Sequence, residues 1–148
     1  MKDISLLRLR AYGSIFSTIT SFADDLFDQS LNDERFLAEL SEKYAQHADF
    51  LVAIIDGVTA GLIAFYANDF NQRTGFVSML VVKPLYRGFG IGTVLLDMAI
   101  SVCKIRGMEG LQLKVDIQNS VALRLYERNG FSISGRNEGH SVILSKMF

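Results

Sequence analysis

The sequence predicts an α+β fold: a mixed, largely antiparallel sheet flanked by helices, with one βαβ-like stretch in its second half. Three observations carry this expectation. Asp56-Gly57 is a hairpin signal between two apolar runs inside residues 49–69, and a third run follows at 74–82. The next run, at 110–117, is separated from the third by a helical pattern over 91–106, the order strand, helix, strand. No repeat, low-complexity tract or linker interrupts the 148 residues, so one domain over 1–148 is expected.

The elements follow in order. Residues 4–10 (ISLLRLR) alternate loosely and read as a first strand. Ile15, Ile19, Phe22, Leu26 and Phe27 recur at helical spacing and predict a helix over 14–29. A second helix falls within 30–47, with Phe36, Leu37, Leu40 and Tyr44 on one face and Asn32 or Asp33 as its cap. After the hairpin and the third strand comes Pro84, the only proline, which ends that strand because it has no N–H for a ladder. The helix over 91–106 is expected to turn Val94, Leu95, Met98, Val102 and Ile105 inward. A short helix at 120–130 closes on Asn129-Gly130, and residues 131–137 and 140–148 read as a closing antiparallel pair.

Composition narrows the function classes. A net charge of -1 supplies no basic field for a polyphosphate backbone, so nucleic acid is not an expected partner. The one cysteine, Cys103, rules out an internal disulfide and sits at helical spacing with Ala99 and Val102, as a small buried residue would. No stretch reaches the ~18 apolar residues of a membrane span. Lys2, Asp3, Arg8 and Arg10 break up any signal-peptide core, so a cytoplasmic protein is expected. His47 and His140 have no partner at ligand spacing, and no metal site is expected.

The segment RGFGIG (87–92) stands where a strand passes into a helix. The first amides of a helix have no intrahelical partner and carry partial positive charge. Glycines at 88, 90 and 92 allow positive φ and close approach, and Arg87 adds a fixed cation. A phosphate-bearing ligand against these amides is the physical reading; a merely flexible loop is the alternative. No Gly-Lys-Ser/Thr occurs, which excludes a nucleotide-hydrolysing P-loop. The dinucleotide pattern also fails, because Leu95 stands where its last glycine or alanine belongs.

These residues resemble the acetyl-CoA signature of the GNAT family of N-acetyltransferases, R/Q-x-x-G-x-G/A, at Arg87, Gly90 and Gly92, with Gly88 as an extra. A second segment, LKVDIQNSVALRLYERNGF (113–131), is similar to the family's N-x-x-A-x-x-L-Y-E-x-x-G-F at Asn119, Ala122, Leu125, Tyr126, Glu127, Gly130 and Phe131. The resemblance implies an acyl-CoA N-acyltransferase fold whose sheet is splayed between its fourth and fifth strands, here 74–82 and 110–117. It implies that main-chain groups of Leu80 and Val82 pair with the pantetheine arm of acetyl-CoA. Amides of Arg87, Gly88, Phe89, Gly90, Ile91, Gly92 and Thr93 would hold the pyrophosphate, and Asn119, Ala122 and Tyr126 would lie near the thioester. Tyr126, Asn119 and Asp116 are the expected catalytic residues, with Tyr126 as general acid to the departing thiolate and a backbone N–H such as that of Val82 at the oxyanion. Tyr66, Asn68 and Asp69, in the loop before the fourth strand, would face the acceptor.

No carboxylate stands on the fourth strand, which leaves Asp116 and Asp69 as candidate bases. An amine of pKa ~10.4 is neutral in about one part in 10³ at pH 7, a deficit of roughly 4 to 5 kcal/mol; an amine near ~8 loses only about 1. A small-molecule primary amine is the expected acceptor, with a protein N-terminus or lysine as the alternative. A non-catalytic acyl-CoA-binding module is the contrasting class. Either a monomer or a homodimer is compatible with the sequence.

Overall fold

The computed structural model describes residues 3–26 and 32–148. Strands β1 (Ser5–Leu9), β2 (Asp49–Ile55), β3 (Val58–Tyr66) and β4 (Thr74–Val82) pair antiparallel in succession. β5 (Gly110–Asp116) runs parallel to β4, and β7 (Ser141–Met147) lies between β5 and the edge strand β6 (Ser132–Arg136). The seven strands form one mixed sheet in the order β1-β2-β3-β4-β5-β7-β6. The expected hairpin is present: Asp56 at φ 50° and Gly57 at φ 76° supply the two positive φ values that match a tight turn to strand twist.

Helix α1 (Tyr12–Ser21) stops well before residue 29, where the spacing of apolar residues placed its end. The hydroxyls of Thr18, Thr20 and Ser21 bond back to the carbonyls of Ser14, Phe16 and Thr18. The Phe22 N–H tightens to the Ile19 carbonyl, and a single 3₁₀ turn, Ala23–Asp25, follows. Hydroxyl and β-branched residues compete with the helix ladder in this way. Phe22 and Leu26 are buried all the same, whereas Phe27 lies outside the described residues.

Helix α2 (Glu34–His47) is capped by Asp33, whose carboxylate accepts from the amides of Arg35 (2.9 Å) and Phe36 (3.3 Å). It buries Leu37, Ser41 and Tyr44, while Phe36, expected on that face, is 43% exposed. Helix α3 (Ile91–Ile105) also turns differently from expectation. Ile91, Leu95, Leu96, Ala99, Ile100 and Cys103 are buried, and Ile105 is 84% exposed. Its apolar residues run nearly all round, so their period does not select a face. Helix α4 (Ser120–Arg128) completes the set.

Two apolar clusters sandwich the sheet. One packs α3 with Tyr126 and Phe131 against Ile63, Phe65, Val77 and Leu113; the other packs α1 and α2 against Phe50, Val52, Leu62 and Met79. Val77 and Met79 fall on opposite faces because the register shifts between them. Ala64 pairs with Met79 and Phe65 with Val77, which leaves Ser78 as an extra residue, a β-bulge. Gly75 is required nearby, since an added Cβ would meet Cys103 Sγ at 2.7 Å. The buried carboxylate of Asp49 is paired by two guanidiniums, Arg106 at 2.6 Å and Arg8 at 2.7 Å, and so ties β2 to the end of α3 and to β1.

Candidate functional site

The two strands of the parallel pair do not stay together. β4 and β5 are paired only from Thr74↔Gly110 to Val77↔Leu113. Beyond the bulge at Ser78, β4 keeps its β3 partners, Ile63↔Leu80 and Gly61↔Val82, but has none on the β5 side. Main-chain groups on that side face a gap, and an unpaired buried ladder is costly unless a ligand or water completes it. The gap opens into a cleft of about 900 Å³. Leu80, Val81 and Val82 form one wall and α4 the other, with the start of α3 across the end.

At that end the chain makes a 3₁₀ turn, Pro84–Tyr86, and reverses through Gly88 (φ 88°) and Gly90 (φ 79°) into α3. Gly90 is the N-cap in the left-handed region. A Cβ at Gly88 or Gly90 would meet nothing within 4 Å, so both are glycines for their backbone angles and not for want of space. Gly92 differs. A Cβ there would meet Leu125 Cδ2 at 2.9 Å, so its lack of a side chain lets α4 approach the first turn of α3. Asn129 Nδ2 donates to Thr93 Oγ1 at 3.2 Å and holds the same contact. The amides of Ile91, Gly92 and Thr93 have no intrahelical carbonyl to bond, which leaves them available to an anion.

On the α4 wall, Asn119 is the N-cap, its Oδ1 accepting from the Ala122 amide at 3.2 Å. Asn119, Ala122 and Tyr126 all line the cleft. The Tyr126 ring is buried edge-on to Phe131 at 5.7 Å. Burial pushes its phenol well above the ordinary tyrosine value, so the hydroxyl stays protonated.

The cleft thus brings together Leu80, Val82, Arg87, Gly88, Gly90, Ile91, Gly92, Thr93, Asn119, Ala122 and Tyr126. Phe89 is 54% exposed and is not among its lining residues. Asp116 also stands apart, its carboxylate accepting from the Gln118 amide at 2.8 Å in the turn that enters α4. Tyr66, Asn68 and Asp69 lie beside the paired, closed end of the β4–β5 wedge, away from the cleft. There Asn68 donates to the His47 carbonyl, Asp69 accepts from the Gln72 amide, and the buried Tyr66 hydroxyl has no partner among the described residues.

Three charged lining residues were not among the expected site residues. Asp25 is the one carboxylate among the described residues that line the cleft, and it is ion-paired with Lys83 at 3.0 Å. Nothing local marks it, because only the tertiary path of the chain carries the end of α1 to the end of β4. Arg124 and Arg128 also line the cleft, and their signal was available: two cations four residues apart inside the second motif.

No group of three or more His, Cys, Asp or Glu side chains able to hold a metal occurs among the described residues. No described helix is long and apolar enough to cross a membrane.

An uncharacterized N-acetyltransferase of Methanocaldococcus jannaschii is 33% identical over 86 residues, 55% of this chain and 38% of that protein. N-alpha-acetyltransferase 30 of Schizosaccharomyces pombe is 39% identical over 57 residues, 38% of each chain. Mycothiol acetyltransferase of Beutenbergia cavernae is 35% identical over 77 residues, 52% of this chain and 26% of that one. The matched segments therefore span less than about two fifths of these curated relatives. Among solved structures, the PaiA N-acetyltransferase of Thermoplasma acidophilum in complex with coenzyme A superposes with a TM-score of 0.77 at 21% identity, over 99% of both chains. An acetyltransferase of Streptococcus agalactiae gives 0.78 at 13% identity, over 98% of both. The model of the Acetyltransferase (GNAT) family matches residues 15–131, which contain the open wedge, the glycine turn and the α4 wall. The chain belongs to the Acetyltransferase (GNAT) family.

Proposed function

We propose that this protein transfers the acetyl group of acetyl-CoA to a primary amine of a small molecule. The observation that carries the reading is the convergence, in one cleft, of the unpaired stretch of β4, the amides at the start of α3 and the phenol of Tyr126. An extended acyl-pantetheine arm completes the β4 ladder, and its pyrophosphate meets the helix N-terminus beside Arg87. The amine nitrogen attacks the thioester carbonyl, the C–N bond forms, and negative charge gathers on oxygen. A main-chain N–H of β4 facing the gap holds that charge. The C–S bond then breaks and the thiolate takes a proton from Tyr126, while the new amide loses one to water, from which the phenol is reprotonated.

Base assistance is weak among the described residues of this cleft. β4 carries no carboxylate, Asp116 stands outside the lining, and Asp25 is already paired with Lys83. An amine with pKa near ~8 needs only about 1 kcal/mol to deprotonate at pH 7, against roughly 4 to 5 for a lysine-like amine. The acceptor class favoured is therefore a weakly basic amine. A protein N-terminus meets the same requirement and is the second reading, supported by the 39% identity to an N-alpha-acetyltransferase.

Thiol release from acetyl-CoA, measured across amino sugars, amino acids, polyamines and peptides beside direct CoA binding, tests both readings. Turnover with small amines supports the first and turnover with peptides alone the second. Tight CoA binding without turnover assigns the cleft to a binding module.

A further inference from the structure

Val121, Arg124 and Arg128 form one strip of α4 among the residues that line the cleft. The neighbouring strip, Leu125 and Asn129, is the one that packs on the first turn of α3. The two arginines therefore belong to the same cleft as the amides at the start of α3. Residues four apart on a helix have neighbouring side chains, so both can close on one anion. Neither Arg124 nor Arg128 has a carboxylate within ion-pair distance among the described residues, and neither does Arg87. Unpaired like charges at this spacing weaken an isolated helix. The position of Arg128 in the last turn of α4 suits the helix dipole, but Arg124 has no such reason to be cationic. Among the described residues that line the cleft, Asp25 is the only carboxylate and is already paired with Lys83, which leaves Arg87, Arg124 and Arg128 without an ion-pair partner there. A pyrophosphate at the α3 amides and Arg87 accounts for one of them.

Resting on the acetyl-CoA reading above, we infer that Arg124 and Arg128 form a second phosphate subsite, which takes the terminal 3′-phosphate monoester of coenzyme A. Such a monoester carries close to two negative charges at pH 7 and offers oxygens to both guanidinium forks. The subsite makes the protein discriminate coenzyme A from its 3′-dephospho form, a distinction the glycine turn cannot draw because both ligands share the pyrophosphate.

The test is calorimetric affinity for CoA and for 3′-dephospho-CoA, in the wild type, in Arg124→Gln/Arg128→Gln and in Arg87→Gln, at two salt concentrations. The wild type is expected to prefer CoA by at least about tenfold, ~1.4 kcal/mol. The double variant loses that preference by weakening CoA alone, and its CoA binding becomes less sensitive to salt. Arg87→Gln weakens both ligands in parallel and keeps the ratio. Equal binding of the two ligands by the wild type, or a preference that survives in the double variant, overturns the subsite while leaving the acetyl-CoA reading intact. Failure of the wild type to bind either ligand overturns both.

Discussion

The phenol of Tyr44 on α2 and the hydroxyl of Ser78 on β4 share a hydrogen bond of 2.7 Å. It joins the outer helix to the bulge residue at which β4 parts from β5. Tyr44 is buried and Ser78 is exposed, so removing the phenolic oxygen leaves a serine that water can satisfy. Tyr44→Phe is therefore expected to cost only about 1 kcal/mol in urea denaturation, the net value of one hydrogen bond. Tyr44→Ala, which also removes the ring packed against Phe50 and Tyr66, is expected to cost about 3 to 5.

Gly90 and Gly92 are separable by mutation because they are glycines for different reasons. Gly90 sits at φ 79° with open space around it, so Gly90→Ala is expected to lose roughly 1 to 2 kcal/mol to backbone strain. Gly90→Asn, which tolerates the left-handed region, should lose clearly less. Gly92→Ala meets Leu125 instead, and pairing it with Leu125→Ala should recover much of the loss. Thermal melts of the five variants, Leu125→Ala alone included, decide the matter: additive losses in the Gly92–Leu125 pair would mean that the contact does not govern the helix approach.

How far such features can be read from the sequence depends on how local their causes are. The Asp56-Gly57 turn, the Asp33 cap, the glycine turn and the Asn119 cap all lie within a few residues of what they bond, and each is legible. The bulge at Ser78 is not, because Val77, Met79 and Val81 present an unbroken alternation whose parity changes only in the β3 register. Nor is the buried face of α3, where apolar residues surround the axis. Tyr66, Asn68 and Asp69 were expected beside the acceptor from the family resemblance. Their position relative to the cleft depends on which end of the β4–β5 wedge opens, and that is set by tertiary pairing. Asp25 reaches the cleft only through the turn that ends α1 early.

Alkaline stability should report on Cys103. Its thiol is fully buried beneath β4, and burial pushes its pKa from the ordinary 9.0 up to about 11. The folded state thus holds the proton more tightly than the unfolded chain does. That contribution is fully present below pH 9 and is lost as pH rises from about 9 to 11, on the order of 2 to 3 kcal/mol in all. Tyr44 and Tyr126, also raised by burial, extend the loss above pH ~10. Denaturation midpoints between pH 8 and 11 should be flat at first and then fall. In Cys103→Ala the fall should begin about one pH unit later, and an unchanged onset would assign it wholly to the tyrosines.

Tyr126 offers the sharpest division between chemistry and packing. Its ring is held by Phe131, and phenylalanine preserves that contact, so Tyr126→Phe is expected to fold normally. A free thiol has a reference pKa of ~8.5 and a tyrosine ~10, so proton transfer to a fully formed thiolate is uphill by about 2 kcal/mol, and burial adds to it. In the mechanism proposed above, the phenol would therefore act first as a hydrogen-bond donor to sulfur as the C–S bond lengthens, and complete the transfer only as the amide product sheds its own proton. Loss of this group is expected to lower kcat about a hundredfold with the affinity for acetyl-CoA unchanged. Because the proposed acting form is the neutral phenol and burial keeps it protonated well above the ordinary tyrosine range, the wild-type rate should show no fall near pH ~10 from its ionisation. Steady-state rates from pH 6 to 11 measure both effects. An unaltered kcat in the variant would leave Tyr126 as a core aromatic and hand the thiolate's proton to water.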